Sequence, residues 1–110
     1  MANVFRNSIT GSIGTTGVTT YLTPTATTTT VIGLNVANVA TQNISVSVMA
    51  RDSSLNKTVY LVKDAIIVQG STAVLIGGEQ KIVLESNDFL SVTSSLASSA
   101  DVIISVLELT

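Results

Sequence analysis

No stretch of this chain sustains helical periodicity over about ten residues without meeting a β-branched cluster or a glycine. What remains are short runs in which apolar and polar residues alternate with period two. The cleanest is ISVSVMAR (44–51), where Ile44, Val46, Val48 and Ala50 alternate with Ser45, Ser47 and Met49. Side chains on a strand point to opposite faces in turn, so this pattern reads as a strand with one dry and one wet face. Further runs are VTTYLT (18–23), VIGLNVANV (31–39), TVYLVK (58–63), QKIVLE (80–85), FLSVTSS (89–95) and DVIISVLEL (101–109). AIIVQGSTAVLIGG (65–78) holds two more, split at Gly70-Ser71. Within 31–39, alternation through Gly33 places Ile32, Leu34, Val36 and Asn38 on one face and Val31, Asn35, Ala37 and Val39 on the other. The polar DSSLN (52–56) joins its flanking strands as a hairpin, and TPTATTTT (23–30) reads as a solvated loop entering a strand. Turn signals every 8–12 residues or so predict an all-β antiparallel β-sandwich of immunoglobulin-like or jelly-roll type.

At 110 residues the chain makes one domain. Residues 1–17 read as an extended N-terminal arm, and residues 18–110 as a single β-sandwich domain. Gly11, Gly14 and Gly17 keep the arm from forming a helix, while Val4, Phe5, Ile9 and Ile13 give it reasons to dock. Strand addition to an edge of the sandwich, of a sibling subunit or of a larger shell is the expected mode. The last strand has two apolar faces: Val102, Ile104 and Val106 on one, Ile103, Leu107 and Leu109 on the other. AVLIG (73–77) is similar. A strand with one wet face should alternate cleanly, so a second cover is expected from a loop, the arm or another subunit. Only 11% of residues are charged against about 25% in ordinary domains. Much of the surface is therefore expected to be Ser and Thr hydroxyl (14 and 16 residues) or buried in a homo-oligomer.

Reactive chemistry is scarce. With no His and no Cys, the usual general bases, nucleophiles and soft-metal ligands are missing. Asp52, Asp64, Glu79, Glu85, Asp88, Asp101 and Glu108 sit at strand ends or beside turn residues and read as turn caps, not as paired catalytic carboxylates. ESND (85–88) lacks the dense alternating oxygen ligands of a calcium loop. Gly77-Gly78 lacks the Lys-Ser/Thr of a phosphate loop, and GSIGTTG (11–17) has no supporting strand or helix. Asn43 and Asn56 head sequons that carry no weight without a secretory signal. Phe5, Tyr21, Tyr60 and Phe89 are too few for a stacking platform. The sequence thus offers no catalytic, cofactor-binding or metal-binding residue, and predicts a protein that is not an enzyme and needs no cofactor. A net charge of −2 with scattered Arg6, Arg51, Lys57, Lys63 and Lys81 predicts no nucleic-acid partner. No apolar run approaches the length of a membrane helix, so a soluble, cytoplasmically made protein with no membrane partner is expected.

MANVFRNSITGSIGTTG, VIGLNVAN, KTVYLVKDAIIVQGSTAVLIGGEQKIVLESNDFLSVTSS and SSADVIISVLEL together resemble small β-sandwich virion structural proteins of tailed bacteriophages, over nearly the whole chain. LESNDFLSV resembles the L-E-x-G-D-x-L-x-V strand–turn–strand unit of phage β-sandwich proteins, with Asn87 in place of the usual glycine. Asn tolerates the left-handed backbone such a turn needs. The resemblance implies a capsid decoration (cement) protein on the virion surface, made in the host cytoplasm. Its partners would be itself and the major capsid protein or other virion proteins. The symmetry of decoration sites implies a trimer. Neck, tail or baseplate components, and an adhesion or carbohydrate-binding module at a fibre tip, are the alternatives. The resemblance carries no functional residue to this chain.

Overall fold

Strands form where β-branched residues cluster and stop where Gly, Asn, Asp or Ser permit a turn. The computed structural model describes residues 2–77 and 81–110. Its strands are β1 (Asn3–Ile13), β2 (Val18–Leu22), β3 (Thr28–Asn38), β4 (Ile44–Asp52), β5 (Lys57–Ile67), β6 (Thr72–Ile76), β7 (Ile82–Leu84), β8 (Phe89–Ser94) and β9 (Ala100–Leu109). All pairings are antiparallel. One sheet runs β1-β9-β3-β6, with β7 also on β3, and the other runs β2-β8-β4-β5.

That order is a single long hairpin rolled up. Its tip is the turn after Asp52, where β4 and β5 pair. Moving outward from the tip, β3 meets β6 and β7, β2 meets β8, and β1 meets β9. Successive pairs fall alternately in the two sheets, and β9–β3 and β8–β4 contacts join them. Eight strands wound this way make a jelly roll, with β7 as an addition. The jelly-roll alternative of the expected sandwich is the one adopted.

The core lies between the sheets. Ile44, Val46 and Val48 of β4 face Val31, Leu34 and Val36 of β3, with Leu90 and Val92 of β8 and Val102, Ile104 and Val106 of β9 completing the layer. Each is buried because period-two alternation sends it inward. The turn at 85–88 adopts the expected left-handed backbone at Asn87, with φ 68°.

Two local expectations give way to other physics, and two hold in a sharper form. The pairing of β3 with β9 shifts between Val31 and Gly33, so Val31 turns inward with Leu34 while Ile32 is only half-buried. An extra residue in one strand inverts alternation beyond it, and nothing in VIGLNV announces the bulge. Residues 24–26 form an exposed turn that enters a strand as expected, but the strand begins at Thr28, inside the threonine run, and Thr27 and Thr29 are buried. β5 continues past Lys63 to Ile67, as Asp64 takes a positive φ of 55° and absorbs an irregularity opposite Ser47. Finally, Asn3–Ile13 lie along β9 as the edge strand of the chain's own first sheet, and Ile13 is fully buried in the core. The candidate cover for the outer side of β9 therefore lies beside it and leaves that side open.

Candidate functional site

Three places could carry function: a buried polar cluster, an acidic cluster and the outer faces of the sheets. The polar cluster joins β1, β2, β3 and β9. Arg6 Nε donates to Glu108 Oε1 at 2.8 Å, and the Tyr21 hydroxyl donates to Glu108 Oε2 at 2.6 Å. Tyr21 and Thr29 hydroxyls also lie 2.8 Å apart. Burial and the Glu108 carboxylate push the Tyr21 phenol up to about 12, so it stays protonated and donating. The Arg6 side chain is 60% exposed, so solvent screens the ion pair and holds its worth to about 1 kcal/mol or less. Every polar atom of Glu108 is matched by a neighbour from another strand, which makes this a tie between sheets. Sequence reasoning placed Glu108 among the turn caps. Its parity with Val102, Ile104 and Val106 was the available signal that it points inward.

Asp52, Glu85 and Asp88 bring one carboxylate oxygen each within 4.8 Å of one another. Asp88 accepts from the Ser53 amide through Oδ1 and from the Glu85 amide through Oδ2, at 3.0 and 2.9 Å. Asp52 Oδ1 accepts from the Ser54 hydroxyl and the Leu55 amide, and these bonds hold its carboxyl below the usual range. Three of these bonds each close a single turn, and the Ser53–Asp88 bond clamps the two turns together. Of the other acidic residues, Asp101 caps the irregular end of β1 by accepting from the Ser12 amide at 3.0 Å. Asp64 contacts Ser47, and Glu79 lies outside the described residues.

The two outer faces differ chiefly in charge. On the second sheet, Thr19, Ser91, Thr93, Ser45, Ser47 and Thr58 face outward beside the exposed Leu22, Tyr60 and Ile66, with Arg51 among them and Lys63 placed over the Tyr60 ring at 4.6 Å. This surface is mixed, wetted by hydroxyls and cations. On the first sheet the register builds two cross-strand rows, Phe5–Leu107–Thr30–Val83 and Ile9–Ile103–Asn35–Val74. Phe5 is 75% exposed, Ile9 72%, Val74 66%, Val83 62% and Ile103 40%. Between the rows lies a low strip at Asn7, Ser105 and Gly33. Shallow depressions of about 300 and 320 Å3 open on this face, one beside Ile9, Asn35 and Ile103, the other beside Phe5, Asn7 and Ser105. Among the described residues Asp101 is the one charged side chain that the strands of this face point outward. The apolar second side of β9 and of residues 73–77 is therefore real and uncovered within the chain.

Fold and surface together define a jelly-roll β-sandwich with one apolar, nearly uncharged outer face and one mixed face. Comparison of folds finds the same architecture in assembled particles. A chain of the Bacillus endospore appendages, a family of disulfide-linked pili, superposes with a TM-score of 0.57 at 11% identity, over 98% of this chain and 88% of that one. A chain of the infectious bursal disease virus particle superposes with a TM-score of 0.55 at 8% identity, over 96% of this chain. The Gx strain of that virus gives 0.51 at 12% identity. This chain spans about a third of those viral chains, 35% and 33% of their lengths. Similarity at such identity is similarity of fold. No protein-family model matches the sequence, and neither does any curated protein.

Proposed function

We propose that this chain is a non-enzymatic structural protein of a virion, and that it acts as a capsid decoration protein on the head of a tailed phage. The apolar, nearly uncharged outer face of the first sheet carries this reading. A domain that functions alone in water has no use for a sheet face bearing Phe5, Ile9, Ile103, Val74 and Val83, whereas a subunit covered on that side needs one. The resemblance of the sequence to phage virion proteins supports the setting, and the jelly roll shared with a viral particle chain is compatible with it. A pilus-like role finds less support, because with no cysteine the chain cannot form the disulfide links of the endospore appendages.

Quantitative protein composition of purified particles, combined with antibody labelling in the electron microscope, tests the proposal. The expected result is many copies spread over the head. A low copy number confined to one end would assign the chain to the neck, tail or baseplate, and absence from particles would overturn the virion reading.

A further inference from the structure

We propose that the apolar outer face of the β1-β9-β3-β6 sheet docks on the same face of a second copy of this chain, in a two-fold pair. The proposal deepens the assembly role above by naming the surface and its occupant.

Area is the first argument. Four strand columns at about 4.8 Å spacing, and ten residues of β9 at about 3.4 Å rise, give a face of roughly 19 by 34 Å. Two such faces pressed together remove on the order of 1,300 Å2 from water, inside the range of about 1,200–2,000 Å2 found for stable specific interfaces. The second argument is self-complementarity. The face has two apolar rows on either side of the low Asn7–Ser105–Gly33 strip. A two-fold axis over that strip and across the strands sets the Phe5 row of each copy on the Ile9 row of the other. The protruding Phe5 then meets the depression beside Ile9, Asn35 and Ile103. Charge is the third. Asp101 stands at one end of the face, and this axis sends the two Asp101 carboxylates to opposite ends of the pair, where they do not repel.

Because one patch meets itself, the contact is isologous and closes at two copies. A trimer, expected from the symmetry of decoration sites, would need two different patches on each copy. The second sheet carries exposed Leu22, Tyr60 and Ile66, but Arg51 and Lys63 stand among them, so it offers no second patch as free of charge among the described residues.

The test uses the full chain, purified alone at micromolar concentration and weighed by light scattering. Wild type should have twice the 11.4 kDa mass of one chain. Ile103→Glu and Val74→Glu should each reduce it to one chain with an unchanged circular dichroism spectrum. Thr19→Glu, which puts the same charge on the wet sheet, should leave the pair intact. A monomeric wild type, or folded face variants that keep the double mass, would overturn the proposal. Binding of the same variants to particles separates this outcome from failure of the virion reading. A monomer whose particle binding is abolished by Ile103→Glu would make the shell the occupant of the face and leave the virion role standing. A face-dependent pair absent from particles would refute the virion role and leave the face assignment standing.

Discussion

At the scale of single residues, parity decides what a substitution costs. Ile104 is fully buried and Ser105, its neighbour, faces out. Ile104→Asp places an unpaired charge in the core at a cost of several kcal/mol, against a total stability of about 5–15 kcal/mol. Thermal unfolding should show no cooperative transition for Ile104→Asp and should keep one for Ser105→Asp, at a lower temperature because the charge on the axis of the pair separates the two copies. Thr23 presents the opposite case: its side-chain oxygen is buried and finds no partner among the described residues. Thr23→Val keeps the shape and removes that cost, so denaturant unfolding should show a gain of about 1 kcal/mol. Tyr21 gives a pH signature. Folding keeps its proton up to about 12, while the unfolded chain loses it near the ordinary 10.0. The stabilisation is thus complete below pH 10 and is lost as pH rises toward 12. In Tyr60→Phe, which leaves Tyr21 as the single tyrosine, spectrophotometric titration should show phenolate appearing only near the upper value. Neither property could have been assigned from the sequence, because burial at Thr23 and the Glu108 partner of Tyr21 are both set by strands far along the chain.

At the scale of elements, β1 separates what local pattern reveals from what pairing decides. Its glycines and spaced apolar residues read as an arm, and an arm could be removed without harm to the domain. In the structure β1 pairs with β9 from Asn3 to Ile13, Arg6 satisfies Glu108, and the Ile13 carbonyl accepts from the Ser99 amide at 3.0 Å. Deleting residues 2–13 removes a core isoleucine, a loss of about 2–5 kcal/mol by itself, and strips a strand from β9. That deletion should abolish cooperative unfolding by circular dichroism, whereas deleting residues 2–5 should leave the transition in place. A cooperative transition at wild-type temperature in the longer deletion would return β1 to the status of an arm. β4 and β9 were legible because uninterrupted alternation survives in them. β3 was only half legible, since the bulge at Ile32 changes which residues face inward without changing composition. The threonines at 28–30 look like solvated loop on composition alone, and only pairing with β7 and β9 makes them strand.

At the scale of the whole molecule, the sandwich class was legible from turn spacing and the absence of helical period, but the winding was not. Immunoglobulin and jelly-roll sandwiches share the same local patterns, and the difference lies in which distant strands pair, as β1 does with β9. The second apolar side of β9 was also legible, and its meaning was not, because a covering arm and an absent partner leave the same trace in sequence. The structure removes the arm from contention and leaves an apolar, nearly uncharged sheet face opposite a mixed one. Assembly through that face is the account's central claim, and a cryo-electron microscopy map of particles carrying the chain tests it most directly. The account predicts Phe5, Ile9, Val74, Val83 and Ile103 packed against a second copy, with Thr19, Ser91 and Thr93 turned to solvent. A map with the first sheet's outer face bare to solvent, and the second sheet's face buried, would contradict it.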